Sequence, residues 1–154
     1  MGDDRRLEGL EILPLDDCLR LLTGGCIGRV GFVVDGLPRV LPVNYAADMD
    51  GSVAFRTAPG SMLARVAAQP AVFEVDGFDE RSRTGWSVCV QGVGREITDA
   101  DDPLAQRLHE LAVITWAPGV RDRWFTVTRD EITGRRIPLT AVPGDFGWIP
   151  GVVS

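Results

Sequence analysis

The chain of 154 residues contains no lysine; all sixteen of its basic residues are arginine. That excludes Schiff-base chemistry, a lysine general base and the phosphate lysine of a Walker loop, so any anion must be held by arginine, backbone N–H groups or hydroxyls. Histidine occurs once, at His109 beside Glu110. With no nucleophile or second ligand at a fixed spacing, it reads as a surface or packing residue. Cysteine is scarce: Cys18, Cys26 and Cys89 are odd in number, widely spaced and set among apolar neighbours. They show no metal-ligand spacing, so no metal site is expected, and they read as buried free thiols in a reducing compartment. No apolar run reaches the length of a membrane span and residues 1–6 lack an apolar signal core, so no membrane partner and a cytoplasmic location are expected. A concentrated basic face is also missing. With 22 acidic residues against sixteen basic, the net charge is −6, which argues against nucleic acid as a partner.

What is present is a 45% hydrophobic content, enough for one domain with its own core. Six segments read as strands, at 26–34, 37–47, 52–57, 71–78, 86–98 and 123–129. Asp35-Gly36 supplies a hairpin turn between the first two. Pro38 and Pro42 make the second strand irregular or an edge, and Gly92 and Gly94 predict a bulge or bend in the fifth. Helical signals lie at Pro14-Leu15-Asp16-Asp17, with Asp16 as N-cap and Gly24-Gly25 as the stop, across 60–68, and after Asp99-Ala100-Asp101-Asp102-Pro103. Residues 132–137 close the ordered part. Residues 1–137 thus read as one domain and 138–154 as an extended C-terminal tail. Short links between strands, without a βαβ alternation, predict a mainly β fold: an antiparallel barrel with short peripheral helices.

Three segments carry candidate chemistry. Phe55-Arg56-Thr57-Ala58-Pro59-Gly60-Ser61-Met62 runs from a strand through a Gly-containing turn into a helical stretch. That order offers backbone N–H groups to a phosphate, with Arg56, Thr57, Ser61 and Arg65 as side-chain donors, although Pro59-Gly60 also reads as an ordinary turn. Arg39-Val40-Leu41-Pro42-Val43-Asn44-Tyr45 places an arginine and the chain's one asparagine in a strand whose prolines remove ladder donors. Neighbouring backbone is then free for a ligand, or Asn44 simply satisfies a turn. Gly85-Trp86-Ser87-Val88 puts Trp86 and Ser87 on opposite faces of a strand, the indole serving either a flat ligand or the core. Neither Ser61 nor Ser87 has a nucleophile-elbow context, which argues against triad hydrolysis.

Taken in order, Gly28-Arg29-Val30-Gly31, Leu41-Pro42-Val43-Asn44-Tyr45, the Phe55 to Ser61 segment, Gly85-Trp86-Ser87-Val88 and Gly134-Arg135-Arg136-Ile137 resemble the pyridoxamine 5'-phosphate oxidase-like family of FMN-binding split barrels. The likeness covers roughly residues 10 to 137 and is strongest to the small flavin-binding branch related to nitroimidazole-resistance proteins. It implies a six-stranded antiparallel Greek-key split barrel, a homodimer with cofactor sites at the interface, and FMN, or alternatively a deazaflavin or haem, as cofactor. It further implies an oxidoreductase acting on a small organic substrate, or else a binding protein without turnover; no catalytic residue is assigned. By the same likeness Arg39, Val40, Pro42, Val43 and Asn44 line the flavin ring. Arg56 and Thr57 reach the ring edge and ribityl phosphate, Ser61 and Met62 bind the phosphate, Phe55 and Arg65 are further cofactor-binding candidates, and Trp86 and Ser87 lie near the pocket. The partner's C-terminal region, through Trp116 or Trp124, covers the ring. Relatives commonly carry lysine where this chain has Met62, and a thioether cannot pair with phosphate; Arg65 or Arg56 is the expected substitute.

Overall fold

The computed structural model describes residues 9–98 and 101–139. In chain order the elements are β1 (Glu11–Ile12), α1 (Leu15–Thr23), β2 (Ile27–Val34), β3 (Leu37–Ala47), β4 (Val53–Thr57), a 3₁₀ turn (Met62–Val66), β5 (Pro70–Asp79), β6 (Thr84–Glu96), α2 (Pro103–His109), β7 (Arg123–Val127) and β8 (Glu131–Ile137). The β2–β3 hairpin is set by Asp35 and Gly36, both left-handed at φ 53° and 74°, which matches the twist of the flanking strands. Antiparallel pairing continues as β6-β5-β2-β3-β4-β7, and β7 pairs back onto β6, closing a barrel of six strands. These are the six strands expected from the sequence.

Closure depends on β6. This strand of 13 residues pairs with β5 along one edge, while its other edge serves β8 from Gly85 to Gln91 and β7 from Gly94 to Glu96. The handover falls at Gly92 and Gly94, where a Cβ would run into the Thr128 and Val66 carbonyls respectively. Only glycine lets the strand bend this tightly against backbone that cannot move aside. Alternate residues of the barrel strands, among them Val30, Phe32, Phe55, Phe73, Val75, Val88, Val90 and Phe125, turn inward and form one buried cluster. Phe73 lies across Gly28, and packs its ring 4.6 Å from that of Tyr45, whose hydroxyl donates to the Leu22 carbonyl at 2.6 Å. A second cluster joins Ala54, Ile97 and Val113 to Ala105 and Leu108 of α2, seating that helix outside the barrel.

Several expectations need correction. Residues 131–137 form a full strand, β8, which also pairs with β1. The N-cap of α1 is Pro14, with Asp16 and Asp17 in the first turn, where they complement the helix dipole; Gly24 caps the other end. The helix expected across 60–68 is only the five-residue 3₁₀ turn, because Ala68 adopts φ 62° and Pro70 opens β5. Cys18 is buried as expected, but Cys89 is half-buried and Cys26 exposed. In α2, Asp102 caps the Leu104 N–H as the acidic run predicted, while Asp99 and Ala100 lie outside the described residues. So does the tail beyond Leu139. Among the described residues no helix is long and apolar enough to cross a membrane.

Candidate functional site

The site arises where β3 and β4 part company. They pair only at Tyr45–Phe55, Ala46–Ala54 and Ala47–Val53, whereas β3 continues along β2 as far as Leu37. The Tyr45 N–H donates to the Cys26 carbonyl at 3.1 Å, which fixes the alternation. Odd-numbered residues of β3 hydrogen-bond to β2; Pro38, Val40, Pro42 and Asn44 direct their backbone groups to the open edge. The two prolines carry no N–H, so beyond Asn44, whose backbone faces Arg56, this edge offers a donor at Val40 only and cannot be zipped up by another strand. Arg39 is exposed on the same stretch, and no ion pair engages it among the described residues. Val43 is different: its side chain is in the core and its backbone faces β2.

The opposite wall is the end of β4 and the loop after it. Continuing the register beyond Tyr45–Phe55 sets Asn44 beside Arg56 and Val43 beside Thr57. Ala58-Pro59-Gly60-Ser61 is a turn with Pro in its second place, Gly60 at φ 73° in its third and a 3.3 Å bond from the Ser61 N–H to the Ala58 carbonyl, as in a type II turn. The buried Thr57 hydroxyl and Ser61 Oγ share a 2.7 Å hydrogen bond, and Ser61 Oγ accepts the Ala64 N–H at 3.2 Å. The N–H groups of Met62 and Leu63, ahead of the turn's own ladder, make none of its internal bonds. Arg56 completes this wall: its Nε is buried without a hydrogen-bond partner, and its guanidinium carbon lies 5.1 Å from the centre of the Trp124 ring. A buried donor left unpaired costs about 1–3 kcal/mol, so this one calls for an acceptor. Trp124 is met in turn by the exposed His109 ring, edge-on at 5.0 Å.

Other predicted residues lie elsewhere. The Phe55 ring is in the core, stacked 6.1 Å from Phe125, so only its backbone borders the site. Arg65 points to the hairpin turn, where its guanidinium meets Asp35 at 3.1 Å, and Met62 is partly exposed with no charge to replace the missing lysine. Trp86 and Ser87 stand eight and seven residues up β6 from Gly94, which backs onto Val66. At roughly 3.3 Å per residue that is a path of about 25 Å along the strand. Within one chain the register sets Asn44 beside Arg56 and the loop joins Thr57 to Ser61 next to Met62, while Arg39, Val40 and Pro42 lie further along β3 and Trp86 and Ser87 stand apart on β6. One contact had no signal in the sequence: the Trp116 N–H donates to Asn44 Oδ1 at 2.8 Å across a separation of 72 residues. Beyond the site, Arg123 clamps Glu96 through two bonds of 2.6 and 2.5 Å, which hold the Glu96 carboxyl below its ordinary pKa.

A family profile for pyridoxamine 5'-phosphate oxidase matches residues 14–144, which takes in the whole barrel and both walls of the cleft. The chain belongs to the pyridoxamine 5'-phosphate oxidase family. One relative in the family, an uncharacterised protein of Mycobacterium tuberculosis, is 34% identical over 131 residues, covering 81% of this chain and 84% of its own. The structure of the FAD binding protein from Mycobacterium smegmatis is 33% identical with a TM-score of 0.66, covering 82% of this chain and 97% of that one. A conserved protein of unknown function from Corynebacterium diphtheriae is 27% identical with a TM-score of 0.69, covering 85% of this chain and 100% of that one. The oxidase-family split barrel is thus the fold of this chain.

Proposed function

We propose that this chain is a flavin-dependent oxidoreductase that works as a homodimer, binds FMN in the cleft between the open edge of β3 and the Arg56–Ser61 loop, and acts on a small organic substrate. The observation that carries this reading is the buried, unpartnered Nε of Arg56 beside the Thr57–Ser61 hydroxyl pair. In a chain without lysine, that is the arrangement a phosphate monoester needs: a planar cation, hydroxyls and free N–H groups at Met62 and Leu63. The family membership and the FAD-binding relative support a flavin, and FMN and FAD share the riboflavin 5'-phosphate unit that this loop suits.

A bound flavin supplies hydride or electron transfer; the protein supplies binding, orientation and electrostatics. Val40 offers a backbone N–H donor to the edge of a flat ring, and Pro38 and Pro42 on either side of it keep that edge clear. Arg56, stacked on Trp124, holds the phosphate end in one place, which fixes where the ring lies. Dimerisation has a surface to use. Val33 and Val40 are 45% and 66% exposed and, with Pro38, Pro70 and the charged Arg39 and Glu131, line a concavity of about 650 Å³. In this reading Trp86 and Ser87 serve the cleft of the second copy, because within one chain they lie apart from the loop. Purified protein is expected to be yellow, with flavin absorbance bands, or to become so on titration with FMN. A colourless protein that binds no flavin would overturn the proposal.

A second reading, a carrier of flavin, deazaflavin or haem without turnover, is favoured by one feature. Met62 stands where a phosphate-binding lysine is common. Binding of these cofactors followed by an assay of reduced-nicotinamide oxidation separates the readings: tight binding with no turnover supports the carrier.

A further inference from the structure

Three strands run on together past the point where the barrel ends. β2 pairs with β5 no further than Glu74, yet β5 and β6 stay paired out to Asp79 and Thr84, and β8 keeps to β6 as far as Ile137. Glycines hollow out this extension. Gly77 leaves room for the Trp86 indole, whose Nε1 lies 2.7 Å from where a Cβ would stand, and Gly85 is bare beside Phe78. The result is a trough of about 540 Å³ whose walls include Phe78, Trp86, Ile137 and Leu139, and an adjoining hollow of about 300 Å³ continues along Arg135 to Leu10.

The walls are apolar and uncovered: Phe78 is 76%, Ile137 47% and Leu139 71% exposed. Apolar side chains of this size gathered around one hollow mark a surface that something covers. The charge left around the trough has one sign. Asp76 is spent on Arg29 at 3.1 Å, and Asp79 Oδ1 accepts the N–H groups of Arg81 and Ser82 at 2.9 and 3.4 Å. Arg135 and Arg136, which both line the adjoining hollow, make no ion pair among the described residues. An occupant that suits the trough therefore combines large apolar groups with an acid.

The chain carries such a segment at this very place. Leu139, the last described residue, lines the trough, so residues 140–154 set out from its wall. They include Val142, Phe146, Trp148, Ile149, Val152 and Val153, with Asp145 as their one acid and no basic residue. Pro143-Gly144 has the composition of a turn, and from Leu139 to Phe146 the chain reaches at most roughly 23 Å, enough to double back along the strands. Residues 1–8, which lead to Leu10, carry five charges and suit an apolar trough poorly.

We infer that residues 140–154 fold back onto the trough of their own chain, seating Phe146, Trp148 and Ile149 on Phe78, Trp86 and Leu139, with Asp145 towards Arg135 and Arg136. The inference is independent of the flavin reading, since it concerns the end of β6 remote from the Arg56–Ser61 loop.

Hydrogen exchange of the full-length protein, followed by mass spectrometry, tests it. In wild type the amides of residues 145–153 are expected to exchange at least about tenfold more slowly than an unstructured peptide, and equally so at two protein concentrations roughly a hundredfold apart. Phe78→Ser replaces an exposed side chain and Trp148→Ser alters the tail alone, so both variants should keep the barrel, which the amides of β2 and β5 report in the same measurement. Each is expected to bring the tail to the unstructured rate. Tail amides unprotected in wild type, or protection that survives either substitution, would overturn the inference; protection that vanishes on dilution would assign the trough to a second copy and overturn it as well.

Discussion

Met62, Arg56 and Tyr45 show how single side chains shape both the site and the stability. Met62 is partly exposed at the start of the 3₁₀ turn, next to two backbone N–H groups that the turn does not use. Met62→Lys adds a charge-assisted contact to a phosphate there, and FMN binding should tighten tenfold or more, corresponding to about 1.5–3 kcal/mol. Unchanged affinity by equilibrium titration would mean that no phosphate sits at this turn. Tyr45 governs behaviour in alkali. Burial above all, then the neighbouring Cys26, pushes its pKa from 10 up to about 12. Between those values the folded chain keeps a proton that the unfolded chain releases, so Tyr45 contributes stability in full below pH 10 and loses it as pH rises towards 12. The buried Cys18 thiol, also pushed up, acts in the same direction from lower pH, and no lysine titrates in this range to obscure the effect. Denaturant midpoints measured through this interval should fall, and should fall less steeply in Tyr45→Phe, which also loses about 1 kcal/mol at neutral pH with the hydroxyl bond to Leu22. Of these three roles, sequence indicated the loop position of Arg56 and the odd chemistry of Met62. That Tyr45 is a buried donor, and that Arg65 is spent on Asp35, depend on strands brought together from distant parts of the chain.

Among the elements, β6 carries the topology and its glycines are the test. Gly94→Ala drives a methyl group into the Val66 carbonyl, a backbone atom that cannot rotate away, and should destabilise the protein by about 1–3 kcal/mol. Gly36→Ala also removes a glycine at positive φ, but with open space around it, and should cost only about 1 kcal/mol of backbone strain. Comparing the two by chemical denaturation separates the steric demand from the conformational one; equal losses would contradict the bend at 92–94. The glycines that bend β6, the prolines that clear the edge of β3 and the Asp35-Gly36 hairpin were all legible, because each is a local rule written in one or two residues. The helix across 60–68 was not. Its apolar spacing is helical, but packing Leu63 and Val66 into the barrel mouth and turning into β5 at Pro70 leave room for a single 3₁₀ turn. The strand at 131–137 was missed for the opposite reason: its Thr, Gly and two Arg carry little β signal, and it is a strand because β6 offers it an edge.

At the scale of the whole molecule, the account requires two copies. Val40→Glu puts a carboxylate on the exposed apolar face without disturbing the core, so the variant should fold, sediment as a monomer and bind flavin at least tenfold more weakly than wild type. A dimer of unaltered affinity would move the interface elsewhere. The barrel was legible at this scale from six alternating segments with short links; the position of Trp86 and Ser87 on the far part of β6 from the loop was not, since it depends on how the strands pair. The central claim is that this cleft recognises a flavin through its phosphate. Parallel titrations of wild type and Arg56→Gln with FMN and with riboflavin test it most directly. The account predicts one FMN per chain, FMN preferred over riboflavin by at least about tenfold in wild type, and that preference largely lost in Arg56→Gln; equal affinities of wild type for the two flavins, or an undiminished preference in the variant, would contradict it.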